Sequence, residues 1–348
     1  MSIGCGNFQK VAIIFKNFWM SVTARSWKFF GRSLSLPSPI RILSRVTATH
    51  ISPAPATRPS LGTSAPTGDD AVSPTRGAGY ALARHWPEYL MEGAELGIFM
   101  ISACVFTALL EYPASPALRL IPNSFVRNAL IGLAMALTAV SIVYSGWGKQ
   151  SGAHMNPAMT LTFFRLGKME PWDALFYVAA QFFGGVLGVT VASLLLGMVV
   201  AHPSVNYAVT RPGSLGVRVA FVAEVLISFV LLLTVLTVSN NKKWARYTGL
   251  LGGALIASYI TFEAPLSGMS MNPARTFGSA FVARSFDALW LYFVAPPIGM
   301  LAAAEVYVRL RSIRAVHCAK YHHNNDKRCI FRCRFAELAD PKTFGITE

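Results

Sequence analysis

Ser151-Gly152-Ala153-His154-Met155-Asn156-Pro157-Ala158 returns later in the chain as Ser267-Gly268-Met269-Ser270-Met271-Asn272-Pro273-Ala274. Both copies read S-G-x-x-M-N-P-A, and each lies between long apolar segments. Such a repeat in an apolar chain points to a duplicated half, the plan of many membrane transport folds. Asn is a strong helix N-cap, Pro is favoured at the first helical position, and Ala propagates the helix. Each N-P-A therefore starts a helix. The apolar stretches that follow, 159–166 and 275–283, are short. Crossing ~30 Å of hydrocarbon takes about 20 helical residues, so both are half-length helices. Two capped half-helices at matching places in two halves are the signature of a pore.

Composition agrees. Mean hydropathy is +0.45, with 53% hydrophobic and only 14% charged residues. Soluble domains carry about 25% charged residues, so the chain reads as an integral membrane protein. The net charge of +15 invites a nucleic-acid partner, but its distribution argues against one. Residues 1–68 hold eight Lys/Arg and no Asp or Glu, and the chain from Arg309 onward is also basic. Basic ends around an apolar body fit cytoplasmic tails under the positive-inside rule. The five cysteines form no secreted disulfide framework. Cys318, Cys329 and Cys333 are interleaved with His317, His322 and His323, but their spacing matches no standard C-x-x-C pairing. A metal site there competes with a plain basic tail, and the expectation is a chain with no metal and no cofactor.

Working outward from the repeats, the chain divides into three parts. Residues 1–84 are rich in Ser, Pro, Thr and Arg, with an apolar patch at 11–20 too short to span and a Pro/Ser/Thr/Ala/Gly run at 52–75. This composition reads as a disordered segment. Its Arg- and Ser-rich, acid-free character resembles an organellar transit peptide, and an over-extended reading frame fits equally well. Residues 85–308 form the channel-like body, and 309–348 a basic cytoplasmic tail. Apolar length and polar breaks predict six spans at 89–110, 125–146, 172–200, 217–239, 246–263 and 287–308. The fold class is all-α integral membrane: six transmembrane helices, two re-entrant half-helices and an inverted repeat. An even number of spans puts both termini on one side. Lys149, Arg165, Lys168, Lys242 and Lys243 place that side in the cytoplasm, although Arg119, Arg127, Arg211 and Arg218 lie opposite. Tyr177, Ala180 and Gly184 in span three match Tyr292, Ala295 and Gly299 in span six at identical spacing.

The half-helices should meet at their N-termini, each carrying about half a positive charge, which repels cations and hydronium. As caps, Asn156 and Asn272 offer an acceptor to their own helix and keep a neutral donor aimed into the pore. Arg275 follows the second box directly. An arginine inside a membrane marks a substrate pathway and supplies fixed donors and a positive barrier, with snorkelling at the outer rim as the alternative. Glu92 or Glu95 in span one and Glu224 in span four are intramembrane carboxylates at equivalent places. They are expected to accept hydrogen bonds from the unpaired backbone of the re-entrant loops. A proton relay would need a chain of titratable groups, and none is visible. His154 reads as a loop anchor or a lining residue on the cytoplasmic side.

At this point the chain resembles the aquaporins, the major intrinsic protein family. The resemblance rests on S-G-A-H-M-N-P-A-M-T at 151–160, S-G-M-S-M-N-P-A-R-T-F-G at 267–278, Gln181 within Y-V-A-A-Q-F-F-G-G, and Ala223-Glu224. It covers about residues 86–308. It implies a right-handed bundle with one pore per subunit, homotetramers in the plasma (inner) membrane, and Asn156, Pro157, Ala158, Asn272, Pro273 and Ala274 at the pore centre. It also implies a four-residue filter near the outer mouth, which falls on Met135, Ile260, Met269 and Arg275. Met135 depends on one extra residue in the 145–150 loop. Water-selective members resemble Phe, His, a small residue and Arg at these places, whereas aquaglyceroporins commonly carry Asp where this chain has Thr276. The filter matches neither subgroup.

These observations predict a passive channel for water and small uncharged solutes such as glycerol, excluding protons and ions. An ion-coupled secondary transporter would need intramembrane ligands for its coupling ion. A non-conducting junction or scaffold protein on the same fold is the other alternative. No cluster of nucleophile, base and orienter supports an enzyme.

Overall fold

The computed structural model describes residues 77–323 and 325–339. The expectations for 1–76, including the patch at 11–20 and the run at 52–75, lie outside the described residues. Among those described, every regular element is helical. Helix α1 runs Ala78–Glu111, α2 Ser124–Tyr144, α3 Pro157–Arg165, α4 Pro171–Leu196, α5 Gly216–Ser239, α6 Thr248–Phe262, α7 Pro273–Ala283 and α8 Leu289–Arg311.

Five of these, α1, α2, α4, α5 and α8, are long and apolar enough to cross a membrane. Helix α6 occupies the place of the fifth predicted span but has 15 residues, about 22 Å at 1.5 Å per residue. Short turns at Ala245–Tyr247 and Ala264–Ser267 extend it at either end. The first span begins well before residue 89, and residues 78–84, expected to belong to the unstructured segment, are its opening turns. Hydrophobicity places the buried part of a span but not the helical turns beyond it. Here Asp173 holds the extension, accepting from Tyr89 Oη at 2.5 Å and lying 2.8 Å from His85 Nδ1. Arg127 forks onto Glu111 at 3.0 and 3.2 Å and donates to the carbonyls of Ile121 and Pro122. One of the arginines that blurred the charge asymmetry is therefore neutralised locally.

Packing follows the duplication. Within the first half α1 lies on α4, within the second α5 lies on α8, and α2 pairs with α6 between the halves. Each half-helix packs on the last span of the other half, α7 on α4 and α3 on α8. The matched glycines explain the close approach. A Cβ on Gly184 or Gly188 would strike the backbone of Gly93 or Gly97 in α1, and one on Gly299 would strike the Val225 carbonyl in α5. Small residues let apolar helices meet backbone to backbone, where lipid offers no hydrophobic drive for larger ones.

Candidate functional site

Each box begins with the same turn. Gly152 and Gly268 have φ of 101° and 82°, and the next positive-φ positions also coincide: Ala153 and Met155, Met269 and Met271. Left-handed backbone at non-glycine residues costs of order 1–3 kcal/mol and persists only where surroundings over-determine it. The surroundings are duplicated too. Tyr177 Oη donates to the Ser151 carbonyl at 2.7 Å, and Tyr292 Oη to the Ser267 carbonyl at 2.5 Å. Ser151 Oγ accepts from Ala153 N at 3.0 Å, and Ser267 Oγ from Met269 N at 3.1 Å.

Carboxylates satisfy the remaining backbone. Glu224 accepts from the N–H groups of Ser270 and Met271 at 2.6 and 2.7 Å and from Ser267 Oγ at 2.9 Å. In the first half this work is divided. Glu92 accepts from His154 N at 2.8 Å and Met155 N at 2.7 Å, and Glu95 from Ser151 Oγ at 2.9 Å. The choice between Glu92 and Glu95 left open by the sequence thus resolves into both, with Glu92 holding the backbone. Gln181 braces the set, its Nε2 donating to Glu92 and to Thr160 Oγ1 at 3.0 Å each.

The half-helices start at the expected residues. Asn156 Oδ1 accepts from Ala158 N at 2.9 Å, and Asn272 Oδ1 from Ala274 N and Arg275 N at 3.0 and 3.1 Å. Pro157 and Pro273 occupy the first helical positions, and Ala158 and Ala274 are fully buried beneath them. The side-chain amides cross: Asn156 Nδ2 donates to the Met271 carbonyl at 2.7 Å, and Asn272 Nδ2 to the Met155 carbonyl at 2.6 Å. A carboxamide has two N–H donors, so one per asparagine is used in this clasp and one remains. The clasp thus commits one N–H of each amide to the opposite loop.

Arg275 is the third residue of α7, with its Nη1 buried and without a protein acceptor. Ile260 and Met269 pack in one apolar cluster. Met135 is buried on α2. On that helix Gly132 turns toward Ala257 of α6, while Thr138 turns toward Ser102 of α1 at 2.8 Å. At about 100° per residue, Met135 projects midway between those two faces.

The chain after α8 departs from the expectation of a plain basic tail. It folds back onto the body at the end where the first box begins. His154 Nε2 lies 2.8 Å from the Ala319 carbonyl and Nδ1 3.1 Å from Thr160 Oγ1, so Nε2 carries the proton and Nδ1 accepts from the threonine. Its ring is stacked between Phe163 and Phe331. Tyr321 N donates to the Gly152 carbonyl at 3.3 Å. Arg328 pairs with Glu88, Arg332 with Glu170, and His317 N donates to Asn240 Oδ1. Burial pulls the Lys320 ammonium below the usual lysine range, against the opposing pull of the Cys329, Cys318 and Cys333 sulfurs. Sequence spacing missed this arrangement because its partners lie on other elements. The nearest signal was the interleaving of Cys and His.

Residues 86–307 match the family described as Major intrinsic protein. The chain is 33% identical over 235 residues to Aquaporin NIP2-1 of Oryza sativa subsp. japonica, covering 66% of this chain and 74% of that relative. It is 38% identical over 194 residues to Aquaporin NIP3-1 of Zea mays, covering 54% and 61%. Among solved structures, the aquaglyceroporin from Plasmodium falciparum superposes with a TM-score of 0.54 at 18% identity, over 66% of this chain and 98% of that one. The last comparison bears on the fold alone.

Proposed function

This chain belongs to the major intrinsic protein family, and from that premise we propose that it is a passive channel for water and small uncharged solutes. It is a multi-pass integral membrane protein of a family of channels, not enzymes. The observation that carries the reading is the clasp of Asn156 and Asn272. It holds two half-helix N-termini against each other and leaves one amide N–H on each side for a passing hydroxyl or water oxygen. Two partial positive charges at one constriction oppose cations and hydronium. Arg275 adds a full charge and a buried donor that a permeant oxygen can meet. Glu92 and Glu224, the paired carboxylates of spans one and four, are engaged by the loops rather than free to bind a coupling ion, which supports passive conduction.

The filter reading takes Met135, Ile260, Met269 and Arg275 as the narrowest ring, with three apolar walls facing one donor array. A solute with an apolar side and hydroxyls fits both walls, and flexible methionines adapt to it. The related NIP-type aquaporins support a water channel, and the apolar walls beside Arg275 favour small polyols such as glycerol as well. Both termini are taken as cytoplasmic, in the plasma membrane, with four chains assembled as a homotetramer, as the family resemblance implies. The deciding experiment uses proteoliposomes, following shrinkage in impermeant sucrose and re-swelling in glycerol by light scattering. Channel-dependent rates in both support the reading. Rates equal to empty liposomes in both would overturn it.

A further inference from the structure

The C-terminal tail brings together Cys318, His323, Cys329 and Cys333, four residues scattered over sixteen positions with no standard motif spacing. One ligand atom from each lies within 4.8 Å of every other. Cys318 Sγ and Cys329 Sγ are 3.6 Å apart, and Cys333 Sγ and His323 Nε2 are 3.0 Å apart. A tetrahedral zinc ion with Zn–S near 2.3 Å spaces its sulfurs by roughly 3.8 Å, so the sulfur pair is already at coordinating separation. We propose that these four side chains form a Cys3His site for zinc, and that the bound ion clamps the tail across the mouth of the pore.

The supporting shell matches such a site. Phe335 N donates to Cys333 Sγ at 3.4 Å, and the Phe335 ring stacks on His323 at 4.4 Å, fixing the imidazole plane. Three thiolates around a divalent ion leave one net negative charge. Lys320 is buried beside them, with 2% of its surface exposed, and its Nζ also donates to the Arg328 carbonyl at 2.6 Å. A lysine buried beside such a site offers the compensating positive charge and, through that bond, ties Arg328 to it. None of the four cysteines among the described residues is in a disulfide. Thiolates with one imidazole in tetrahedral array select zinc over the oxygen-seeking cations.

The ligands bracket the contacts that the tail makes with the loop of the first box. Ala319 and Tyr321, bonded to His154 and the Gly152 carbonyl, lie between Cys318 and His323. Phe331, stacked on His154, lies between Cys329 and Cys333. One ion would therefore draw both covering segments onto the loop that opens the first half-helix. The clamp rests on the channel reading above, whereas the site itself does not.

The test uses the full-length protein purified in detergent under reducing conditions. Metal content is measured for wild type and for a variant carrying C318S, C329S and C333S together. The expected result is equimolar zinc in wild type, its loss in the variant, and cobalt replacement giving thiolate charge-transfer and tetrahedral d–d absorption. No zinc in wild type after loading, or equal zinc in the variant, overturns the site. Limited trypsinolysis reads the clamp without relying on conduction: chelation should raise cleavage at Lys320 and Arg328 severalfold, and unchanged cleavage overturns it. Osmotic permeability should likewise rise severalfold on chelation. If no form conducts, including the serine variant, the channel reading fails while the zinc stoichiometry still decides the site.

Discussion

Asn156 and Asn272 each donate to the carbonyl of the residue just before the other, at 2.7 and 2.6 Å. The two halves are thus joined at their centre by a reciprocal pair of bonds whose partners occupy equivalent positions in the duplicated sequence. Each asparagine caps its own helix with oxygen and binds the opposite loop with nitrogen. Asp could perform the first task but not the second. Ser would be too short to reach across while capping.

Replacing Asn156 or Asn272 by Asp should retain the cap and remove the crossing donor. The Met271 or Met155 carbonyl is then left facing a carboxylate, a loss of about 1–3 kcal/mol for an unsatisfied buried group. We expect osmotic water permeability to fall sharply with membrane insertion and oligomeric assembly retained. Stopped-flow light scattering of the double variant conducting like wild type would show that the pore has been misplaced.

The division of labour between Glu92 and Glu95 predicts unequal costs. Glu92→Gln replaces one carboxylate acceptor of two backbone N–H groups by an amide nitrogen that cannot accept. Hydrogen bonds to charged groups contribute about 1.5–3 kcal/mol, so the thermal midpoint in detergent should drop clearly. Glu95→Gln keeps an oxygen for the Ser151 hydroxyl and should cost much less. Glu224→Gln should resemble Glu92→Gln, and equal midpoints for all three would refute the assignment.

The proposed filter makes selectivity depend on Ile260. If Ile260 lines the proposed filter with Arg275, the polar ring introduced by Ile260→His should favour water over a solute that relies on an apolar wall. The glycerol-to-water permeability ratio is expected to fall severalfold. An unchanged ratio would remove Ile260 from the filter.

Close packing of α1 on α4 is testable apart from transport. A Gly184→Val substitution places a branched side chain where the Gly93 backbone already sits. Overpacking costs typically 1–3 kcal/mol or more where backbone rather than side chain must move. Yield of monodisperse protein should collapse, whereas Gly146→Val, with open space around it, should be tolerated. Similar yields for the two would contradict the packing.

Much of the fold was legible along the chain because its signals are local. A span declares itself by apolar length, a half-helix by its Asn-Pro cap and short apolar run, and a duplication by matching words. Helices α3 and α7 begin at the prolines that the boxes placed there, and Tyr177 and Tyr292 proved equivalent down to the carbonyl each one holds. The helical turns ahead of residue 89 were missed because Asp173, which holds them, lies far along the chain. The same limit hid the sharing of one loop between Glu92 and Glu95, the crossing of the asparagine amides, and the return of the tail onto His154. Each is a bond between residues dozens to more than a hundred positions apart, and no spacing rule encodes which distant partner a side chain meets. Burial removes water as the alternative partner, so each of these groups takes the partner that packing of the two halves brings within reach.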